Sequence, residues 1–319
     1  MKIKTKLCIA AAVLVSAGLL LFVIGMSLLG WDFKRLDISK YTAKSFIVEN
    51  ADDVKSVEVS MSSFPLDIVS GDAFKLDYYE AAGCDIFVLI DDGTLKIVEK
   101  YKYQPFDTGF FNIGRGDHRY VLTVPHATDV SVVGVNCDIS VKDMRFGSLR
   151  IDSTNVDLTL DNVEITGDIY LKAQNANVCL TDVVTTSIEA FATNLDVEIY
   201  GCELGEALAD GTNADVTVND SQIGEATFRA TNLNVEANRA SIGKCSASGT
   251  NADIELNTFT VESLFVKGGN LDAYIEIAGI RSEYSVITKG NDLPPVQIGS
   301  TEKTITLEGG NNSVQLKFV

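Results

Sequence analysis

The sequence predicts an all-β chain: a right-handed parallel β-solenoid with coils of about 19 residues, preceded by one N-terminal transmembrane helix. Three observations predict it. A short phrase led by Asn recurs eight times at a spacing of 19 or 20 residues. Apolar and polar residues alternate after each recurrence, which is the period of a strand and not the 3.6 of a helix. An apolar run without charge extends from Leu7 to Trp31.

That run is long enough, at about 1.5 Å per helical residue, to cross a hydrocarbon layer of roughly 30 Å. A cleaved signal peptide would have a shorter apolar stretch ending in a small-residue cleavage site, and no such site is present. An uncleaved anchor is therefore expected. Lys2, Lys4 and Lys6 precede it, and Lys34, Arg35 and Lys40 beyond it are diluted by Asp32 and Asp37. The bias of basic residues places the N-terminus in the cytoplasm and the C-terminal domain outside it. The chain then divides into a cytoplasmic tail (1–6), a transmembrane helix (7–31), a juxtamembrane linker (32–45), irregular early β coils or a cap (46–135), and a regular solenoid (136–319).

The repeat begins with Asn136, Asn155, Asn175, Asn194, Asn213, Asn232, Asn251 and Asn270, with fainter echoes at Asn291 and Asn311. Three and five residues after each Asn come two apolar positions, for example Leu158 and Leu160, or Val216 and Val218. A second apolar file follows ten residues after the Asn: Phe146, Ile165, Leu204, Ile223, Ile242, Val261 and Ile280. Gly147, Gly205, Gly224 and Gly243 come next, where a turn excludes a side chain. Each unit thus makes short strands and corners and returns to its start, and stacked units give a solenoid whose coils bond at about 4.8 Å. Crossover chirality predicts right-handed winding. The position after the Asn alternates Ala176, Leu195, Ala214, Leu233, Ala252, Leu271, so stacked side chains interdigitate. Cys137 and Cys245 fall on inward positions, whereas Cys179 falls on an outward one and is the thiol expected to react.

Before the repeat, Asp92-Gly93 reads as a turn leading into the strand Leu95-Lys-Ile97, and Tyr120 to Val124 as a strand ended by Pro125. Between them Phe106, Phe110, Phe111 and Arg115 sit in an aromatic, Gly-rich loop, either a partner-contact loop or a loop packed on the cap. At the other end, Ser313 to Val319 forms a strand whose outer edge predicts self-association or pairing with a partner.

The formal charge is −18, from 26 basic and 44 acidic residues. Nucleic acid is excluded as a partner, because a phosphate backbone needs clustered Lys and Arg. His118 and His126, the two histidines, lie outside the regular coils without a nucleophile motif, and the coils carry no insertions that would build a cleft. No catalytic residue is assigned, and the chain is not expected to be an enzyme. Six cysteines include no C-x-x-C pair, so free thiols are expected rather than a disulfide framework or a zinc site.

Two files could carry chemistry. Asp138, Asp157, Asp196, Asp215, Asp253 and Asp272 stack, interrupted by Asn177 and Asn234. Stacked carboxylates repel, and a bound Ca²⁺ would relieve them; solvation together with the two Asn interruptions is the plainer account, and no cofactor is expected otherwise. The eight Asn residues are expected to form a structural amide ladder at a corner, a place where Asn also tolerates left-handed backbone.

The single N-terminal span, the Gly93-Thr-Leu-Lys-Ile97 strand, the Tyr120-to-Pro125 strand, and the Asn-x-Asp-Val coils with intervening Gly resemble the bacterial adhesin-like family of β-strand-repeat proteins with toast-rack domains (domain of unknown function 4097). The resemblance covers most of residues 45–319. It implies a β-solenoid in the cell envelope, with adhesion or envelope-stress signalling as its role and no catalytic residues to carry over. The Asn phrase is more regular here than the family pattern. The resulting expectation is a membrane-anchored, extracytoplasmic, non-catalytic binding or scaffold module that meets an unknown protein or glycan. An envelope-stress sensor acting through membrane partners is the alternative, and a carbohydrate-active enzyme is the third.

Overall fold

The computed structural model describes residues 3–28, 30–31, 41–48, 54–62, 65–81, 84–101, 119–125, 128–290, 293–299 and 302–319. They fall into two compact units, one of Met1–Ala43, Tyr79–Asp85 and Tyr101–His118, the other of Lys44–Tyr78, Ile86–Lys100 and Arg119–Val319. The loop around Phe106 to Arg115, read either as a partner contact or as packed on the cap, both histidines and Asn291 lie outside the described residues.

The first unit contains α1 (Ile3–Leu28), which begins earlier than the expected Leu7 and stops before Trp31. Its stretch Ala11–Leu28 is long and apolar enough to cross a membrane, and its side chains are almost all exposed. Termination has a local cause. Gly30 takes φ +68, its N–H bonds the Ser27 carbonyl, and the Trp31 N–H bonds Met26 O at 2.8 Å, a closing pattern that only a left-handed residue permits.

The second unit is a β-solenoid of about nine turns. From β8 (Asp129–Phe146) and β9 (Leu149–Lys172) through β10 (Asn175–Thr181), β11 (Val184–Tyr200), β12 (Glu203–Asn219), β13 (Gln222–Asn238) and β14 (Ser241–Ile277), each coil pairs in parallel with the next. The register places Asn on Asn at every step from Asn136 to Asn251. Alternate residues of the strand face the interior: Ile139, Leu158, Val178, Val197, Val216, Val235 and Ile254 form one file, all buried. Removing such a side chain from water contributes about 1.5–3 kcal/mol, and no coil can do this alone.

The one 20-residue coil contains a bulge. Thr185 pairs with Ile165 but Ser187 with Asp168, so two residues of β9 oppose Thr186 alone. Corners seven residues after each Asn from Asn136 to Asn251 take left-handed backbone at Asp143, Asn162, Asp182, Gly201, Asp220, Arg239 and Thr258, with φ from +50 to +65. The ladder Asn residues do not use their tolerance for this backbone: none of the eight has positive φ. At the next position, buried Ser221 donates to Asn219 O at 2.7 Å and accepts from the Cys202 N–H at 3.0 Å, fastening this corner from inside.

Chain order and stacking order diverge at both ends. β2 (Ser56–Met61) and β3 (Leu66–Ser70) lie beneath β8, and β6 (Thr94–Tyr101) and β7 (Tyr120–Val124) lie beneath them in turn, all parallel. β4 (Lys75–Ala81) runs antiparallel on β7. β5 (Cys84–Asp91) joins β6 through Asp92-Gly93, both at positive φ, as a two-residue hairpin turn requires. β1 (Tyr41–Ile47) follows β4 at the edge. At the far end the regular coil breaks after Ile277, and Ile280, expected on the inner file, is exposed before a 3₁₀ turn at Arg281–Glu283. β15 (Tyr284–Gly290) is then separated from β14 by the first half of β16 (Lys303–Phe318).

Candidate functional site

The Asn file forms a continuous amide ladder. Asn155 donates through Nδ2 to Asn136 Oδ1 at 2.7 Å, and the same bond repeats rung by rung to Asn270 at 2.7–2.8 Å. Asn311 extends it, donating to Asn270 Oδ1 at 3.0 Å across 41 residues of chain. Each amide has two N–H groups and two lone pairs. From Asn155 to Asn270 the ladder uses one of each along its own axis, so each of these rungs is both a donor to the rung beneath and an acceptor from the rung above.

Along this corner runs an open groove of about 890 Å³ reaching from Asn155 to Ser313. The ladder lines it together with the file Val156, Ala176, Leu195, Ala214, Leu233, Ala252 and Leu271, and the rim is the carboxylate file from Asn177 to Asp272. Among the described residues no aromatic side chain lines it.

The carboxylates come together two at a time. Asp138 stacks on Asp157, Asp196 on Asp215, and Asp253 on Asp272, with an Asn after each of the first two pairs. Asn177 donates to Asp157 Oδ1 at 3.4 Å and Asn234 to Asp215 Oδ1 at 2.9 Å. Partial burial, then the partner carboxylate, raises the pKa of Asp157, Asp196 and Asp253. One member of the first pair has a cation: Arg119 bridges Asp138 at 3.5 Å to Asp67, outside the file, at 3.3 Å. Among the described residues no three His, Cys, Asp or Glu side chains converge as metal ligands.

A raised carboxylate pKa means that the folded state binds the proton more readily than the unfolded chain. Its ionised form costs stability above the folded pKa, and that cost is relieved as pH falls through it. Asp196→Asn is therefore expected to raise the thermal midpoint near pH 7, with the gain shrinking as pH falls into the carboxylate range. Melting both proteins across that range checks it; a loss of stability near pH 7 would mean that Asp196 has a partner only its charge can satisfy.

Cys137, Cys202 and Cys245 are buried and free, and burial pushes the Cys245 thiol up to about 12. Cys179 is partly exposed, but burial, Glu198 and Asp157 raise its pKa too, so little thiolate is present at neutral pH. The groove itself escapes sequence reasoning, because periodicity shows which residues share a file and not how sharply the strand bends there.

The family described as Toastrack DUF4097 has a model that matches residues 54–273, which include the whole ladder from Asn136 to Asn270. Among solved structures, the chain is similar to a candidate cell adhesion protein from Clostridium sporogenes ATCC 15579, at 11% identity, over 88% of this chain and 100% of that one, with a TM-score of 0.23. It is similar to a candidate adhesin from Bacteroides fragilis NCTC 9343 at 12% identity, over 88% and 97%, with a TM-score of 0.38. A candidate lipid binding protein from Parabacteroides distasonis ATCC 8503 matches at 14% identity, over 87% and 97%, with a TM-score of 0.40. Among curated proteins none matches.

Proposed function

The chain belongs to the Toastrack DUF4097 family, and on that footing we propose that it is a non-catalytic binding module of the cell envelope, held by α1 in the membrane with its solenoid outside the cytoplasm. The groove beside the amide ladder is its binding surface. That groove is the observation that carries the reading: it crosses rungs rather than following one loop, so it suits an extended chain that meets equivalent groups every 4.8 Å or so. Its acid pairs recur every three rungs, roughly every 14 Å by the same spacing, and each suits one cationic group shared by two carboxylates. Arg119 on Asp138 is this chain's own instance of such a bond. A peptide segment fits better than a sugar polymer, since sugar rings pack on aromatic faces and the groove offers none among the described residues.

The test uses the full-length chain in nanodiscs, with oligolysine as probe and a neutral glucan oligomer beside it. Neutralising Asp196, Asp215, Asp253 and Asp272 to Asn is expected to weaken oligolysine binding about tenfold or more, as loss of charge-assisted bonds should. Changing Glu203, Glu206, Glu225 and Glu262, which do not line the groove, to Gln removes the same charge and is expected to change far less. Equal losses would reduce the binding to bulk acidity and sink the groove. Tighter binding of the glucan than of oligolysine would move the ligand to the glycan class.

A further inference from the structure

The last described rung of the solenoid differs from the regular coils it stacks on. Ala273, Ile275 and Ile277 of β14 are buried, yet Val314, Leu316 and Phe318, which continue the same files one rung on, are only half-buried. Among the described residues, Asn311–Phe318 pairs on its inner side alone, with Asn270–Ile277. The neighbouring terminal strand is treated differently. Beyond β15, Gln297 forms an antiparallel bridge with Val286, both bonds at 2.8–2.9 Å, so the Pro294-Pro295 segment screens that edge.

Around the bare edge gather apolar side chains that nothing in the described chain covers: Ile280, Val296, Ile298 and Val319 are 65%, 61%, 92% and 64% exposed. Ile280 and Val319 meet where the Gly279 N–H bonds Val319 O at 3.0 Å, and Arg281 Nε donates to Gln297 Oε1, between Val296 and Ile298. Charge is also unusual here. Residues 293–299 and 309–319 contain no Asp or Glu and a single Lys or Arg, Lys317, in a chain of net charge −18. Contact through the acidic files would set like charges against one another; this end does not.

We propose that a second copy of this chain docks here, its Asn311–Phe318 edge pairing antiparallel with that of its mate about a two-fold axis. Inward residues must face inward residues across such a pair. Setting Leu316 opposite its own copy puts Val314 opposite Phe318 and Gln315 opposite Lys317, so the one cation never meets itself. The contact completes the hydrophobic core of both copies at once. It goes beyond the groove reading and does not depend on it. A small interface of this kind gives a weak, concentration-dependent dimer.

The experiment follows the full-length chain in detergent by sedimentation over a hundredfold range of protein concentration. A monomer–dimer equilibrium is expected, and Leu316→Lys and Ile298→Lys are each expected to weaken it about tenfold or more by burying a charge. Ile298 is almost wholly exposed, so its variant folds even if Leu316→Lys frays the last rung. Leu316→Cys is expected to form a disulfide-linked dimer under mild oxidation that the parent chain does not form. A chain that stays monomeric throughout, a dimer indifferent to both lysines, or open-ended oligomers instead of dimers would each overturn the proposal.

Discussion

Phe228→Ala is expected to destabilise the full-length chain by about 3–5 kcal/mol, near the upper end of what truncating a buried aromatic costs. The reason lies in its neighbours. Phe228 is 1% exposed, and the rungs on either side place Ala209 and Ala247 against it. The adjacent inward file at the same rungs is Ala207, Ala226 and Cys245. One large ring therefore fills space that five small residues leave open. The four alanines have no side-chain rotation and Cys245 has a single one with which to close a cavity, so most of the void persists and its lining loses contacts outright. Denaturant unfolding in detergent measures the loss. Phe228→Leu should recover much of it, and Ala247→Leu in the Phe228→Ala background should recover some of it by refilling the hole from the next rung. A loss below about 1 kcal/mol would show that the interior collapses freely and that this core is not close-packed.

The same crowding explains which features are legible in the residues alone. A 19-residue period, an alternating file and small-large alternation after each Asn are local patterns repeated eight times, and repetition makes each of them legible. Position in the file alone puts Cys137 and Cys245 inside, and both are buried. Three features are not legible, for physical reasons. Five of the seven left-handed corners hold Asp, Asn or Gly, residues that tolerate this backbone, but Arg239 and Thr258 break the file; the more regular Asn file draws attention to the wrong corner. The exchange of order between β15 and β16 depends on which strand completes the last rung, a choice between non-local pairings that periodicity does not encode. The groove depends on curvature, which arises from the sum of small backbone angles and leaves no mark on residue type.

The glycine file does mark a place without room, but the cause is contact and not turn geometry. Gly205, Gly224 and Gly243 do not have positive φ. A Cβ at Gly224 would lie 2.6 Å from the carbonyl oxygen of Gly205, and one at Gly243 would lie 2.6 Å from that of Gly224. One at Gly205 would lie 2.4 Å from Thr186 O. Each glycine thus rests on the backbone of the rung beneath, where no flexible side chain can move aside. Gly224→Ala must push apart neighbouring rungs that hydrogen bonds hold at about 4.8 Å, and it is expected to cost about 1–3 kcal/mol. Thr186 stands in the same file and is the internal control. It carries a side chain because the rung beneath it contains the bulge, where two residues of β9 oppose one. Thr186→Ala should then stay within about 0.5 kcal/mol of the parent chain. Urea midpoints of the full-length proteins separate the outcomes. If Gly224→Ala melts with the parent, the rungs have slack that the backbone distances deny. If Thr186→Ala costs as much as Gly224→Ala, the bulge is not what makes room for a side chain in this file. In a stack whose stability is a sum of neighbour interfaces, a weakened contact in the middle also divides the cooperative unit. Gly224→Ala is accordingly expected to broaden the transition, whereas a substitution confined to one coil's interior would move its midpoint alone.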